Sequence, residues 1–144
     1  MKYRSQNILG NYIFFKALTL LPYFKEIQFV IPVPLFKGKE LKRGGNQLDE
    51  FGKKLAQFYH THYNKGVLIK EKNTKSHSEK TKFQRDQLDN YHFKLAKPEL
   101  LKGKSILLID DLITTGNTIQ AATQVLFQAS CKKIHIMCIA SGID

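Results

Sequence analysis

Ile106-Leu107-Leu108-Ile109-Asp110-Asp111-Leu112-Ile113-Thr114-Thr115-Gly116-Asn117-Thr118 is the most regular stretch of the chain. Four consecutive apolar residues, 106–109, are what a strand buried on both faces requires. Two carboxylates follow, then a threonine-rich turn with one glycine. Ile119, Ala122, Val125, Leu126 and Ala129 recur at helical spacing, and Ile134 to Ala140 form a second buried strand. Strand, loop (Asp110 to Asn117), helix and strand predict a βαβ unit with parallel strands and a right-handed crossover.

The two acids fall at the carboxyl edge of a parallel sheet, where α/β proteins bind ligands. Gly116 lets the backbone approach a ligand closely or take a conformation other residues resist. The loop amides and the helix start offer hydrogen-bond donors and a partial positive charge, which together cradle phosphate. Thr114, Thr115 and Thr118 add hydroxyls. Paired carboxylates would repel a phosphate unless they grip sugar hydroxyls or hold Mg²⁺, directly or through waters. The ligand therefore reads as a sugar phosphate. The chain has no G-x-x-x-x-G-K-[ST] loop and no G-x-G-x-x-G turn for a nucleotide.

Working outward, helix and strand alternate, which predicts an α/β fold. Ile8 to Leu21 has helical spacing and ends at Pro22. Phe29 to Val33 reads as a strand whose Pro32 and Pro34 mark its end. Residues 34–46 are a basic, glycine-containing loop. Leu48, Phe51, Leu55 and Phe58 form one helix face, with Asn46 as N-cap and Asp49 and Glu50 in the first turn. Val67 to Ile69 and Tyr91 to Leu95 read as short strands. The polar residues 70–90 between them predict a functional or mobile loop.

The 144 residues suit a single domain, 1–144, with a flexible loop at about 70–90. A formal net charge of +11 points to an anionic partner. The charge is uneven: residues 1–105 hold 21 of the 23 Lys/Arg and nine of the 12 acids, a net of +12, and residues 106–144 carry −1. No apolar run approaches the roughly 20 residues of a membrane span. Cys131 and Cys138 read as core thiols in a reducing compartment, and their spacing does not suit a zinc ribbon. His60 and His62 resemble an H-x-H metal pair but fall at a helix end without acidic neighbours, so we read them as structural. His92 and His135 read as core or edge histidines.

Residues 107–118 closely resemble the phosphoribosyl pyrophosphate (PRPP) signature of type I phosphoribosyltransferases. Lys2-Tyr3-Arg4, Ile31-Pro32-Val33-Pro34-Leu35 and Arg43-Gly44-Gly45-Asn46-Gln47 are similar to the competence-associated ComF branch, and Lys70, Thr74 and Arg85 to Phe93 fit its central segment more loosely. In that segment Lys70 stands where Arg is usual, His77 where Gln is usual, and Leu88 where Asn is common. Members of the branch usually begin with a four-cysteine zinc module. This chain begins at Met1-Lys2-Tyr3 without those cysteines, so the resemblance implies a short or truncated member and zinc is not carried over.

The resemblance implies a type I phosphoribosyltransferase fold: a mainly parallel twisted sheet, flanking helices and a flexible hood loop. It implies that Thr114, Thr115, Gly116, Asn117 and Thr118 hold the 5-phosphate of PRPP, and that Asp110 and Asp111 contact the ribose hydroxyls and Mg²⁺, possibly through waters. The loop at 34–46 is expected to hold pyrophosphate through Lys37 and Arg43, with Lys39 and Lys42 solvated. Arg guanidinium suits bidentate phosphate contact. Arg85 and His77 would belong to a hood closing over the leaving group. Asp110, Asp111, Arg43 and Arg85 are the candidate catalytic residues.

Two functions follow from the resemblance. One is a cytoplasmic, PRPP-binding protein that handles incoming single-stranded DNA during natural transformation. Its basic surface over residues 1–105 would track phosphates, with Tyr59, Tyr63, Phe83 and Tyr91 as stacking candidates. The other is a Mg²⁺-dependent phosphoribosyltransferase of nucleobase salvage. No base-binding motif follows residue 118, and the sequence does not specify an oligomeric state.

Overall fold

The computed structural model describes residues 26–34, 48–71 and 92–141. The expected helix at 8–21, the basic loop after Pro34, Asn46 and residues 72–90 of the expected loop at 70–90 lie outside these residues, whereas Lys70 and Glu71, expected to open that loop, are the last residues of a strand. Strand β1 spans Phe29–Pro32 and helix α1 spans Leu48–Phe58. Then come β2 (His62–Tyr63), β3 (Leu68–Glu71) and β4 (His92–Leu95). A 3-10 turn at Pro98–Leu101 leads into β5 (Ser105–Ile113), helix α2 (Asn117–Phe127) and β6 (Lys133–Ser141).

Four strands form a parallel sheet in the order β2-β1-β5-β6, and β3 and β4 pair antiparallel as a separate ribbon. From β1 the chain passes through α1 to β2 on one side. From β5 it passes through α2 to β6 on the other. The two central strands therefore send the chain in opposite directions, and a crevice opens between their carboxyl ends.

Alternation along the strands divides the core in two. Ile31, Ile106 and Leu108 pack on the α2 side with Ile119, Ala122, Leu126, Val67 and Leu68. Val30, Leu107 and Ile109 pack on the α1 side with Leu48, Phe51, Leu55 and Ala56. Side chains at successive strand positions point to opposite faces, so an unbroken apolar run is needed where both faces are covered. Full burial of each such side chain stabilises the fold by about 1.5–3 kcal/mol.

α1 needs Gly52 for close packing. A Cβ there would meet the Tyr63 ring and stand 2.9 Å from Ile109 Cδ1. The ring is held, since Tyr63 Oη donates to Asp49 Oδ1 at 2.7 Å. After α1, the N–H of His60 donates to Gln57 O at 3.2 Å and that of Thr61 to Ala56 O at 2.8 Å. This is the double bond pattern of a Schellman cap, with His60 in the left-handed position at φ 51°. His60→Gly is therefore expected to stabilise the fold by about 0.5–1 kcal/mol, because glycine takes that conformation without a Cβ penalty. Urea unfolding at two temperatures would measure it, and an unchanged or lower midpoint would show that the ring makes a compensating contact.

Candidate functional site

The central feature of the crevice is the end of β5. The strand does not stop at Ile109, as the acids there suggest. It runs on through Asp110 and Asp111 to Ile113, because β6 is equally long and pairs with it up to Ile113↔Ser141. The connecting loop is correspondingly short. Only Thr114 to Gly116 separate strand from helix, and Asn117 is the first helical residue.

Asp110 shares the α2 face with Ile106 and Leu108 and is buried, with 7% of its surface exposed. Asp111 is half-buried. The backbone N–H of Asp111 donates to Asp110 Oδ1 at 2.9 Å. Burial is the main influence on the Asp110 carboxyl and disfavours its charged form. The Asp111 N–H favours the carboxylate, the Asp111 charge opposes it, and the Lys70 ammonium favours it. The net result is a carboxyl pushed up to about 6. Cys138, opposite Asp110 in the ladder, is likewise pushed up to about 11, by burial and then by the Asp110 charge. Its thiol is therefore poorly nucleophilic, and it lines the site as a small apolar group.

Gly116 caps α2 at φ 77° and ψ −5°, the left-handed region where a Cβ is penalised although the space around it is open. Its carbonyl accepts the first helical bond from Gln120 N at 2.9 Å. No side chain caps this end among the described residues. The first amides of an eleven-residue helix thus remain available as donors, with the positive end of the helix dipole behind them. Thr114 and Thr115 are exposed, and Asn117 and Thr118 are half-buried. Buried acid, left-handed glycine and uncapped helix start follow one another along one edge of the sheet.

Lys70 joins this edge from the β3–β4 ribbon. It stands opposite Phe93, with its Nζ 5.5 Å from the ring centroid. Strand alternation puts it on the same side as Leu68, which packs with the α2-side core. A lysine on an otherwise apolar inward face calls for an anion, and Asp110 feels its charge. From the sequence, Lys70 is expected in the loosely matching central segment, as the first residue of the loop at 70–90, and not among the site residues. The signal is present in the alternation Leu68-x-Lys70, but its meaning depends on the pairing with Phe93. Lys70→Gln is expected to push the Asp110 carboxyl further up, and a ¹³C-detected titration of that carboxyl would check this. An unchanged midpoint would place the ammonium too far away to matter.

The other expected residues fall as follows. Lys37, Arg43, His77, Phe83, Arg85 and Tyr91 lie outside the described residues. Tyr59 and Tyr63 are not stacking surfaces: both pack against the core under α1, and Tyr63 is tied to Asp49. The apolar stripe of α1 continues into Tyr59, and Tyr63 joins the same cluster from β2. His60 is an exposed helix-cap residue, and exposed His62 lies against Phe29 with ring centroids 5.7 Å apart. Among the described residues no group of three or more His, Cys, Asp or Glu could hold a metal. Cys131 and Cys138 are free and half-buried against the core.

Comparison with known proteins adds the wider context. The phosphoribosyl transferase domain family matches residues 41–144. The chain is similar to DNA utilization protein YhgH of Escherichia coli O157:H7, 26% identical over 111 residues that make 76% of this chain and 48% of that protein. It is also similar to Competence protein F of Haemophilus influenzae, 25% identical over 77% of this chain and 49% of that protein. The chain thus spans about half the length of the curated relatives it matches. Among solved structures it superposes on an adenine phosphoribosyltransferase with TM-score 0.62 and 16% identity, over 94% of this chain and 70% of that one. The Saccharomyces cerevisiae adenine phosphoribosyltransferase gives TM-score 0.59 and 17% identity over 94% and 69%.

Proposed function

This chain belongs to the phosphoribosyl transferase domain family and has its type I fold, and from that premise we propose that it binds PRPP at the carboxyl edge of β1 and β5 and handles single-stranded DNA in the cytoplasm. The observation that supports the pocket is the sequence of groups along one edge at the topological switch point: Asp110 and Asp111, left-handed Gly116, then the uncapped start of α2. The DNA part rests on the similarity to a DNA utilization protein and a competence protein over about three quarters of the chain. No helix among the described residues is long and apolar enough to cross a membrane.

In this reading Thr114 to Thr118 bind the 5-phosphate through backbone amides and hydroxyls, where the helix dipole favours negative charge. Asp110 and Asp111 accept hydrogen bonds from the ribose hydroxyls and orient the sugar. Lys37 and Arg43 hold the pyrophosphate, Arg as a fork and Lys as a point charge. Arg85 shields the leaving group from water. Two adjacent carboxylates suit Mg²⁺, which typically binds through one or two carboxylates plus substrate oxygens instead of a full protein cage. Asp110 and Asp111 would hold the ion, directly or through waters, and it would neutralise pyrophosphate charge.

PRPP with Mg²⁺ is expected to stabilise the protein by about 3 kcal/mol at one hundred times the dissociation constant. Thermal unfolding with millimolar ligand checks this, and an unmoved transition would remove the pocket assignment. Incubation with PRPP and a panel of nucleobases then divides binding from turnover. We expect PRPP bound without base-dependent pyrophosphate release. Release with one base would instead make the protein a salvage phosphoribosyltransferase.

A further inference from the structure

The edge of the sheet opposite the pocket has a different chemistry. β5 begins at Ser105 and β6 at Lys133, paired side by side. The segments leading into them are stitched together. Lys132 N donates to Lys104 O at 2.9 Å, and Gly103 N donates to Ser130 O at 2.9 Å. Lys102, Lys104, Lys132 and Lys133 therefore share one edge, all exposed except half-buried Lys104. The acids there are fewer: Glu26, 3.1 Å from Lys132, and Glu99 in the 3-10 turn.

α2 runs back from the pocket to this edge and ends at Phe127, whose carbonyl accepts a bond from Ser130 N at 3.0 Å. Phe127 is 63% exposed, and Leu100, in the turn before Lys102, is 39% exposed. Phe127 falls outside the buried stripe of Ile119, Ala122 and Leu126, so packing gives no reason for an aromatic ring there. An exposed aromatic beside spaced cations is the combination that binds single-stranded nucleic acid: bases stack on the ring while lysines meet the phosphates. A closed duplex offers no base face to the ring. A membrane surface calls for a broad apolar helix face, and here one ring and one leucine are exposed.

We infer that this amino edge of the sheet is a single-stranded nucleic-acid surface, with Phe127 as the stacking platform and Lys102, Lys104, Lys132 and Lys133 as phosphate contacts. The inference rests on the DNA-handling reading above and gives it a location. Asp110 and Asp111 lie at the far edge, so a strand bound here escapes their repulsion and leaves the pocket open to its own ligand.

The test is fluorescence anisotropy of labelled oligothymidylate with the full chain across a salt series. Phe127→Ala is expected to weaken binding about tenfold, the loss of one base stack, with the salt slope unchanged, and Phe127→Trp to restore it. Changing all four lysines to Gln is expected to flatten the slope of log affinity against log salt by about 0.7 for each phosphate left without its cation. The corresponding Arg variant should retain the slope. Unchanged far-ultraviolet circular dichroism and melting would show that each variant folds. Wild-type binding with every variant titrating alike would overturn this surface and leave DNA handling standing. No wild-type binding at low salt would overturn both. Loss of binding to phosphatidylserine vesicles in the variants, with oligothymidylate binding intact, would assign the edge to a membrane and overturn the inference.

Discussion

Asp110→Asn is expected to make the free protein more stable and, in the same molecule, to remove its stabilisation by PRPP and Mg²⁺. The first effect follows from burial. The Asp110 carboxyl ionises at about 6 in the folded chain and near its ordinary value of 3.8 in the unfolded one. Between those values the folded state binds the extra proton, so stability falls as pH rises from about 4 to about 6 and is level above that. At pH 7 the cost of the buried charge is at most about 3 kcal/mol. Asn removes the charge, and its Oδ1 still accepts the Asp111 N–H. The second effect follows from the proposed sugar grip, which needs two acceptors. At one hundred times the dissociation constant the loss is about 2.7 kcal/mol. Scanning calorimetry with and without ligand reads both. A lower melting temperature for free Asp110→Asn would mean the charge is better compensated than its surroundings indicate. A retained ligand shift would release Asp110 from the sugar. In the wild type, ligand binding should strengthen as pH rises through about 6, as the carboxylate forms.

Leu108→Ala is the second large effect. Leu108 is fully buried on the α2 side, two positions before Asp110 on the same face of β5. Truncation forfeits its burial and leaves a cavity that surrounding strands and helix cannot fill, at a cost of about 2–5 kcal/mol. That is a large part of the roughly 5–15 kcal/mol that holds an ordinary domain together. An unfolding free energy from urea titration lowered by less than about 1 kcal/mol would show that β5 is not the central strand of the core. Unlike Asp110→Asn, this change should reduce stability equally with and without ligand, which separates damage to the scaffold from damage to the pocket.

Ile134 to Ala140, interrupted by His135 and expected as a second buried strand, lies at the edge of the described sheet with only Met137 buried and Ile136 exposed. The strand that opens the βαβ unit, by contrast, can be read directly, because the unbroken apolar run Ile106 to Ile109 is needed only where both faces are covered. The end of β5 cannot. Asp110 and Asp111 resemble a strand terminus, and the ladder to Ala140 and Ser141 that extends the strand past them is a tertiary fact. β2 escapes notice for a similar reason: two residues, His62 and Tyr63, carry no periodicity and become a strand only by pairing with Phe29 and Val30. In the candidate site, Gly116 and the threonines are legible because each residue type has a specific local use. Lys70 is obscured because its role arises from Phe93, more than twenty positions away, and Phe127 because its exposure emerges only once the buried stripe of α2 is fixed. The tyrosines 59 and 63 mislead in the opposite sense. An aromatic ring serves a core as readily as a base, and here Asp49 and Gly52 hold Tyr63 in place.

Whether PRPP sits at the carboxyl edge of β1 and β5 is decided by a crystal structure of the chain with PRPP and Mg²⁺. The 5-phosphate is expected within hydrogen-bond reach of the amides of Thr115 to Thr118, and the ribose hydroxyls on Asp110 and Asp111. Ligand density elsewhere on the molecule, or a phosphate turned away from the start of α2, would contradict it.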